Sequence, residues 1–261
     1  MDLQLGGKKA LITGSTAGIG LAIATALARE GADVVLNGRT EARVAQAVAK
    51  VRQNAQGAVS GIAADAGTSA GAAVLIAGSP GVDVLVNNLG IFDPKPFAQI
   101  SDEEWLRFFE VNVMSGIRLA RAYLPRMIER NWGRVVFISS ESGLQIPAEM
   151  IHYGMTKTAQ IAVARGLAET TVGTGVTVNS VLPGPTRSEG VDAFVEKLSG
   201  GKSFGEFERE FFSSIRPTSL LKRFETVDEI AAVVAFVCSP LASAINGAAV
   251  RAEGGVVKSA F

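Results

Sequence analysis

The sequence predicts a doubly wound α/β domain, a parallel sheet of about seven strands with helices on both faces. Two observations carry that prediction. Short β-branched runs alternate along the chain with longer helical patterns, which is the rhythm of β-α-β crossovers. Most of the short runs are apolar nearly throughout, as strands covered on both faces must be. The 261 residues, 48% of them hydrophobic, are enough to bury a substantial core. No shift in composition marks a boundary, so residues 1–261 are expected to form a single domain.

The elements follow in order. ALIT (10–13) opens the sheet, and IGLAIATALARE after it is helical and ends at Gly31, a natural C-cap. DVVLN (33–37), VSGIAAD (59–65) and DVLVNN (83–88) read as the second to fourth strands. Residues 66–81, rich in Gly, Ala and Ser, predict a short or loose helix. RVVFIS (134–139), VTVNSVLP (176–183) and AAVRA (248–252) complete the strand set. Residues 185–220 form a long insertion with Phe194, Phe204, Phe207, Phe211 and Phe212 among charges. Amphipathic helices completing the core would explain it. A lid over a substrate pocket is favoured, because ligands of such sheets bind beyond the strands' C-terminal ends.

Composition excludes several function classes. The formal charge is zero and no Lys/Arg run exceeds two residues, so a nucleic-acid footprint is missing. One cysteine, Cys238, in an apolar helical stretch, forbids an internal disulfide and is expected to be buried and inert. With one cysteine and one histidine a zinc cage cannot be built within the chain, and no metal is expected. A Ser-His-Asp hydrolase would need His152, and no G-x-S-x-G elbow occurs. The N-terminus lacks a signal-peptide stretch and no apolar run is long enough to span a membrane, which predicts a soluble, cytoplasmic protein.

The first strand ends in Thr13-Gly14-Ser15-Thr16-Ala17-Gly18-Ile19-Gly20 and runs into a helix. Glycines there let the backbone turn tightly and approach a pyrophosphate at the helix N-terminus. The spacing is G-x-x-x-G-x-G rather than G-x-G-x-x-G, and a glycine cluster also suits any tight turn. Between a strand and an amphipathic helix it points to a dinucleotide, held by Gly14, Ser15, Thr16, Gly18, Ile19 and Gly20. At the end of the second strand Gly38 supplies no carboxylate for ribose hydroxyls, while Arg39 offers a guanidinium for a 2′-phosphate. NADP(H) is therefore favoured over NAD(H), although a solvated arginine at a helix start would look the same. Asp65 ends the third strand, where it could accept from an adenine amino group, act as an N-cap, or do both. In Asn87-Asn88-Leu89-Gly90 the amides could tie strands together while Gly90 admits the cofactor ribose; a simple turn would read alike.

Tyr153 and Lys157 are i and i+4 and share a helix face. A nearby ammonium favours the phenolate, which would bring the tyrosine into range for proton transfer near neutral pH. Ser140, ending the fifth strand, can hydrogen-bond the same carbonyl oxygen. His152 points about 100° away from Tyr153 around the helix, toward a neighbouring surface, substrate or subunit contact, and is not the expected base.

Taken together, TGSTAGIG at 13–20, NNLG at 87–90, Ser140, Tyr153-x-x-x-Lys157 and Pro183-Gly184 resemble the short-chain dehydrogenase/reductase family over nearly the whole chain. Leu89 departs from the family's NNAG, and Glu253-Gly254-Gly255 from its late D-G-G. The resemblance implies a Rossmann-like sheet of order 3-2-1-4-5-6-7 and a homotetramer or homodimer. It implies Tyr153 as general acid in reduction and base in oxidation. Lys157 would bind the nicotinamide ribose and lower the tyrosine pKa, and Ser140 would orient the carbonyl. Asn112, in EVNV, would hold a water connecting Lys157 to solvent. Pro183, Gly184 and Thr186, with Ser188 close behind, would reach the nicotinamide. The function so implied is hydride transfer between NADP and a small carbonyl or alcohol, with 3-oxoacyl reduction as one form. An NAD-dependent alcohol dehydrogenase of the same family and a non-catalytic NADPH-binding regulator are the alternatives. Glu141, Gln145, Ile146, Glu149 and Met150 are candidates for the substrate pocket, where Glu141 could repel anions, bond a hydroxyl, or face solvent.

Overall fold

A computed structural model describes residues 2–190 and 202–260. Its centre is a seven-stranded, all-parallel sheet: β1 (Lys9–Ile12), β2 (Asp33–Gly38), β3 (Val59–Ala63), β4 (Val84–Asn87), β5 (Gly133–Ile138), β6 (Val176–Pro183) and β9 (Ala249–Ala252). The spatial order is β3-β2-β1-β4-β5-β6-β9, the expected order with the last strand of the chain in the seventh place. Two-residue strands β7 (Thr186–Arg187) and β8 (Glu225–Thr226) pair separately.

Helices α1 (Gly18–Arg29), α2 (Glu41–Arg52) and α8 (Val227–Cys238) cover one face; α3 (Ser69–Gly78), α5 (Ser115–Glu129) and α6 (Ile151–Glu169) cover the other. Neighbours on β1 divide between the faces, Ile12 packing toward α1 and α8 and Leu11 toward α3 and α5, as the two-residue strand period requires. Gly31 ends α1 with φ +87°, its N–H returning to Ala28 O at 3.2 Å. The Ala/Gly-rich stretch after β3 does form a helix, started by Thr68, whose hydroxyl accepts the Gly71 N–H at 3.0 Å. Asp65 is not that helix's cap. Its carboxylate instead accepts from Gly67 N at 3.0 Å and closes the preceding turn.

Helix α4 (Asp102–Phe109) runs through a π-helical turn, Glu110–Met114, into α5, placing Asn112 inside the distorted turn. The short helix α7 (Phe204–Glu210) lies near the start of the second described segment. Phe207, Phe212 and Phe224 are buried together beside Phe204 and Phe211, so this part of the insertion builds a small aromatic core of its own. Phe194 lies outside the described residues.

At the sheet's other end, Arg134 at the start of β5 is 1% exposed. Its guanidinium donates to the carbonyls of Ser239 (3.3 Å), Gly133 (2.8 Å) and Gly175 (2.9 Å) and to Ser243 Oγ (2.9 Å). Burial lowers its pKa, yet four oxygens solvate the charge. Among the described residues no helix is long and apolar enough to cross a membrane, and no group of three or more His, Cys, Asp or Glu could hold a metal ion.

Candidate active site

The C-terminal ends of the strands open on a cavity of about 600 Å³. On one side stands the glycine turn. Asn88 at the end of β4 donates through Nδ2 to Thr13 O (2.9 Å) and Gly14 O (3.0 Å), and Thr13 Oγ1 accepts from the N–H groups of Asn88 and Leu89 at 3.0 Å. Asn37 reaches across from β2, its Oδ1 accepting from Gly14 N at 3.2 Å. Gly14 and Gly18 have φ of +59° and +56°, which side-chain-bearing residues rarely adopt. Gly20 is glycine for closeness: a Cβ there would lie 2.5 Å from Asn88 Nδ2 and 2.6 Å from Gly14 O. Helix α1 begins here with Ala17 as N-cap, which supplies no side-chain acceptor for the first N–H groups. That leaves donors and the positive dipole end available to an anion.

Ser15 takes a different part from the one its motif position suggests. It is fully buried, donating to Ile12 O at 2.8 Å and accepting from Asn37 N at 2.9 Å, so its hydroxyl fastens the turn to β2. Arg39 is exposed just past β2, and its guanidinium has no partner among the described residues. Ile19, Gly20, Asn88, Gly90, Pro183, Gly184 and Thr186 line the cavity; Arg39 and Asp65 stand outside it.

Across the cavity, Ser140 follows β5 and opens a tight turn in which its Oγ accepts from Ser142 N at 3.1 Å. Ser139 Oγ donates to Lys157 O at 2.8 Å and so ties β5 to α6. Helix α6 presents Tyr153 and Lys157 on the face lining the cavity. Lys157 Nζ donates to Ile138 O (2.8 Å) and Gln160 Oε1 (3.2 Å) and lies 5.5 Å from the centre of the Tyr153 ring. A Cβ at Gly90 would sit 3.4 Å from that Nζ, at ordinary contact distance.

The electrostatic balance differs from the one the i, i+4 spacing suggests. Burial pushes the Tyr153 phenol well above its ordinary range, and the Glu141 carboxylate adds to the rise; a hydrogen bond with Ser140 and the charge of Arg216 oppose it. Lys157 is itself drawn down to about 7 by burial, against the pull of Glu141. Burial dominates the phenol's shift, and Lys157 is not among the groups that lower it.

Asn112 is 1% exposed and outside the cavity lining. Its Oδ1 accepts from Ile91 N (2.8 Å), and its Nδ2 donates to Ile91 O and Thr156 Oγ1, both at 3.0 Å. Its backbone carbonyl accepts Gln160 Nε2 at 2.5 Å. Gln160 thus links the Asn112 carbonyl to Lys157, accepting from its Nζ at 3.2 Å.

The substrate side is closed by groups far apart in the sequence. Glu141 is buried directly beside Ser140; its Oε2 accepts from the Ser140 hydroxyl and its Oε1 from Ser142 Oγ at 3.1 Å. Arg216, also buried, donates through Nε to Glu141 Oε1 (3.2 Å) and through an Nη to Glu149 Oε1 (3.0 Å). Glu141 therefore neither faces solvent nor stands free to repel. With Phe207, Phe211, Ser214 and Ile215, Arg216 brings the insertion onto the cavity. Glu149 and Met150 line it as well, whereas Gln145 and Ile146 do not: Gln145 reaches out to Thr218, and Ile146 packs over Gly154. Glu225 accepts from Gly184 N at 3.0 Å, bracing the Pro183-Gly184 loop, and Thr186 Oγ1 donates to Gly184 O at 2.9 Å. His152 turns away into the aromatic pair of Phe108 (ring centres 4.0 Å apart) and Trp105 (5.9 Å), where burial lowers its pKa. It is a core residue, not a surface or substrate contact. Cys238 is buried, its thiol pushed up to about 12 by burial.

The sequence profile described as short chain dehydrogenase matches residues 8–199. The uncharacterized oxidoreductase YvaG of Bacillus subtilis is 51% identical, with both chains covered in full. A 3-oxoacyl-[acyl-carrier-protein] reductase of Aquifex aeolicus is 33% identical over 98% of this chain and all of its own. Among solved structures, L-sorbose reductase from Gluconobacter frateurii, complexed with NADPH and L-sorbose, superposes with a TM-score of 0.93 at 30% identity, covering 99% of this chain and 100% of that one. A parallel sheet of this order, the glycine turn and the Ser140–Tyr153–Lys157 cluster agree with the extent of these matches: the chain belongs to the short-chain dehydrogenase/reductase family.

Proposed function

We propose that the protein is an NADP-dependent oxidoreductase interconverting a small carbonyl compound and its alcohol, with residues 1–261 as one cofactor-binding and catalytic domain. The observation that carries this is the convergence of Ser140, Tyr153 and Lys157 on one cavity with the uncapped start of α1. The nicotinamide supplies or accepts hydride at the substrate carbon. The chain's own groups do the rest. The N–H groups opening α1 and the close-packed glycines take the pyrophosphate. Arg39, unpaired beside Gly38, takes the 2′-phosphate, and the NADPH in the sorbose reductase structure supports that choice. Lys157 bonds the nicotinamide ribose, and the braced Pro183–Thr186 loop holds the ring.

In reduction Tyr153 gives its proton to the carbonyl oxygen as the carbon gains hydride, and Ser140, its hydroxyl turned from Glu141 to the substrate, holds that oxygen. The elevated tyrosine pKa suits an acid that keeps its proton until the transition state calls for it. The activities of these relatives suggest two substrate classes, a 3-oxoacyl thioester and a ketose, and the mixture of phenylalanines and an ion-paired corner accommodates either.

The test is nicotinamide absorbance over a panel of both classes with NADPH and NADH. Turnover with NADPH is expected. Tyr153→Phe should lose about 10²–10⁴-fold in kcat while still binding NADPH. Equal or tighter binding of NADH overturns the cofactor choice, and full turnover by the phenylalanine variant overturns the catalytic one. Cellular function that survives the loss of turnover would instead indicate a cofactor-sensing regulator.

A further inference from the structure

Gln160 sits three residues beyond Lys157 on α6, so the two share a helix face. It is 1% exposed, a site where an aliphatic side chain would be the ordinary occupant. Both ends of its amide are used: Oε1 accepts from Lys157 Nζ at 3.2 Å, and Nε2 donates to the Asn112 carbonyl at 2.5 Å. Only this orientation satisfies both neighbours, because an ammonium has no acceptor and a carbonyl has no donor. Asn112's own side chain is engaged by Ile91 and Thr156, which pins the π-turn and gives the amide a fixed support.

We infer that Gln160 is a positioning residue for the reaction: its side-chain carbonyl, anchored on the π-turn through Asn112, fixes the Lys157 ammonium and favours its protonated form. This rests on the role proposed above for Lys157. The ammonium has two protein acceptors, the Ile138 carbonyl and Gln160 Oε1. Removing the second would leave a buried charge with one partner in a setting that already draws its pKa to about 7. The charged or titratable groups around it are few. Tyr153 lies on the same helix, Glu141 on the turn after β5, and Arg216 neutralises Glu141 from the insertion; on the π-turn Asn112 is neutral and Glu110 pairs with Arg118. Gln160 is the neighbour that can be changed without touching the reacting atoms. An amide also passes a proton on only through an unfavourable tautomer, whereas a water or hydroxyl relays one readily. The geometry thus makes Gln160 an anchor and not a proton carrier.

Two near-isosteric variants test the inference. Gln160→Leu removes the acceptor, and Gln160→Glu replaces it with a carboxylate. The first readout is the titration of the Lys157 side chain, followed by NMR of ¹³C-lysine-labelled protein and assigned by its loss in Lys157→Met. It needs no turnover, so it can fail or succeed independently of the proposed reaction. The expected result is a shift to lower pH in Gln160→Leu and to higher pH in Gln160→Glu, by about one pH unit or more in the latter. With turnover, the fall in kcat at the alkaline side moves in the same two directions, and NADPH affinity drops in Gln160→Leu. Circular-dichroism melting confirms that each variant is folded. A purely packing role would leave the Lys157 titration where it was, or move it the same way in both variants, and either result overturns the inference.

Discussion

The glycine turn and the Glu141–Arg216 corner face each other across one cavity but are held by different means. At the turn, Thr13, Gly14, Asn37 and Asn88 are neighbours on adjacent strands, and most bonds run between a side chain and a backbone already fixed by the sheet. At the corner, Glu141, Glu149 and Arg216 meet side chain to side chain across 75 positions of sequence, with one partner on the insertion. Backbone-held geometry changes little unless the backbone is forced; side-chain-held geometry depends on charge and can be retuned. The first region fits a cofactor common to many enzymes, the second a substrate particular to this one.

The largest expected effect breaks the rigid region. In Gly20→Ala the new methyl meets Asn88 Nδ2 and Gly14 O at 2.5 and 2.6 Å, and the second of these is backbone. A strain of about 1–3 kcal/mol is expected, lowering thermal stability and weakening NADPH binding by about 10- to 100-fold if it falls on the bound form. Calorimetric titration with NADPH would measure it, and an unchanged affinity would show the turn to be softer than its bonding implies.

A smaller effect is expected from the charged corner. Glu141 raises the Tyr153 pKa, so Glu141→Gln removes one cause of the rise and lets the phenolate form at lower pH. For alcohol oxidation, which needs the phenolate, the pH–rate profile should move acidward. At the pH where the parent enzyme is half-maximal, the rate should rise by up to about twofold. A profile that moves alkaline, or not at all, would mean that the carboxylate acts on Ser140 alone.

The smallest effect belongs to Glu225, which braces the Pro183-Gly184 loop through Gly184 N. Burial raises its carboxyl to about 7 from an ordinary 4.5, so the folded protein keeps a proton that the unfolded chain releases. The stabilisation is complete below the ordinary value and is lost as pH rises through about 7. Glu225→Gln keeps an acceptor for Gly184 and should flatten this dependence, gaining about 1 kcal/mol at pH 8 after allowance for solvent near the loop. Melting curves at pH 5 and pH 8 would show it.

The same contrast explains what could be read in advance. Strand runs, the Gly31 terminus and the Tyr153/Lys157 spacing are local patterns, and each is found where its period places it. Glu141 stands out beside Ser140, but its partner Arg216 lies in an insertion whose phenylalanines give no pairing information. Ser15 resembles a ligand-facing motif residue until Asn37 is seen to claim it. Gln145 and Ile146 sit close in sequence to the pocket, yet a tight turn carries them past it. His152 adjoins Tyr153 in sequence but turns into the Trp105–Phe108 core, which only the packing of α4 on α6 creates. Gln160 had a usable signal, a polar residue at i+3 from Lys157 on a helix face otherwise bound for the interior.

Arg134 shows what the parallel sheet does to the molecule as a whole. Its guanidinium donates to the carbonyl of Ser239, the residue that closes α8 at its negative end, and to carbonyls at the starts of β5 and β6. Every crossover helix of a parallel sheet points the same way, so positive ends gather where α1 begins and negative ends gather below. The protein is thus electrically poled along its strands, though its net charge is zero. One pole is matched permanently by a built-in cation. The other is left for a phosphate-bearing visitor, so loading the enzyme completes a polarity that the chain itself satisfies at only one end.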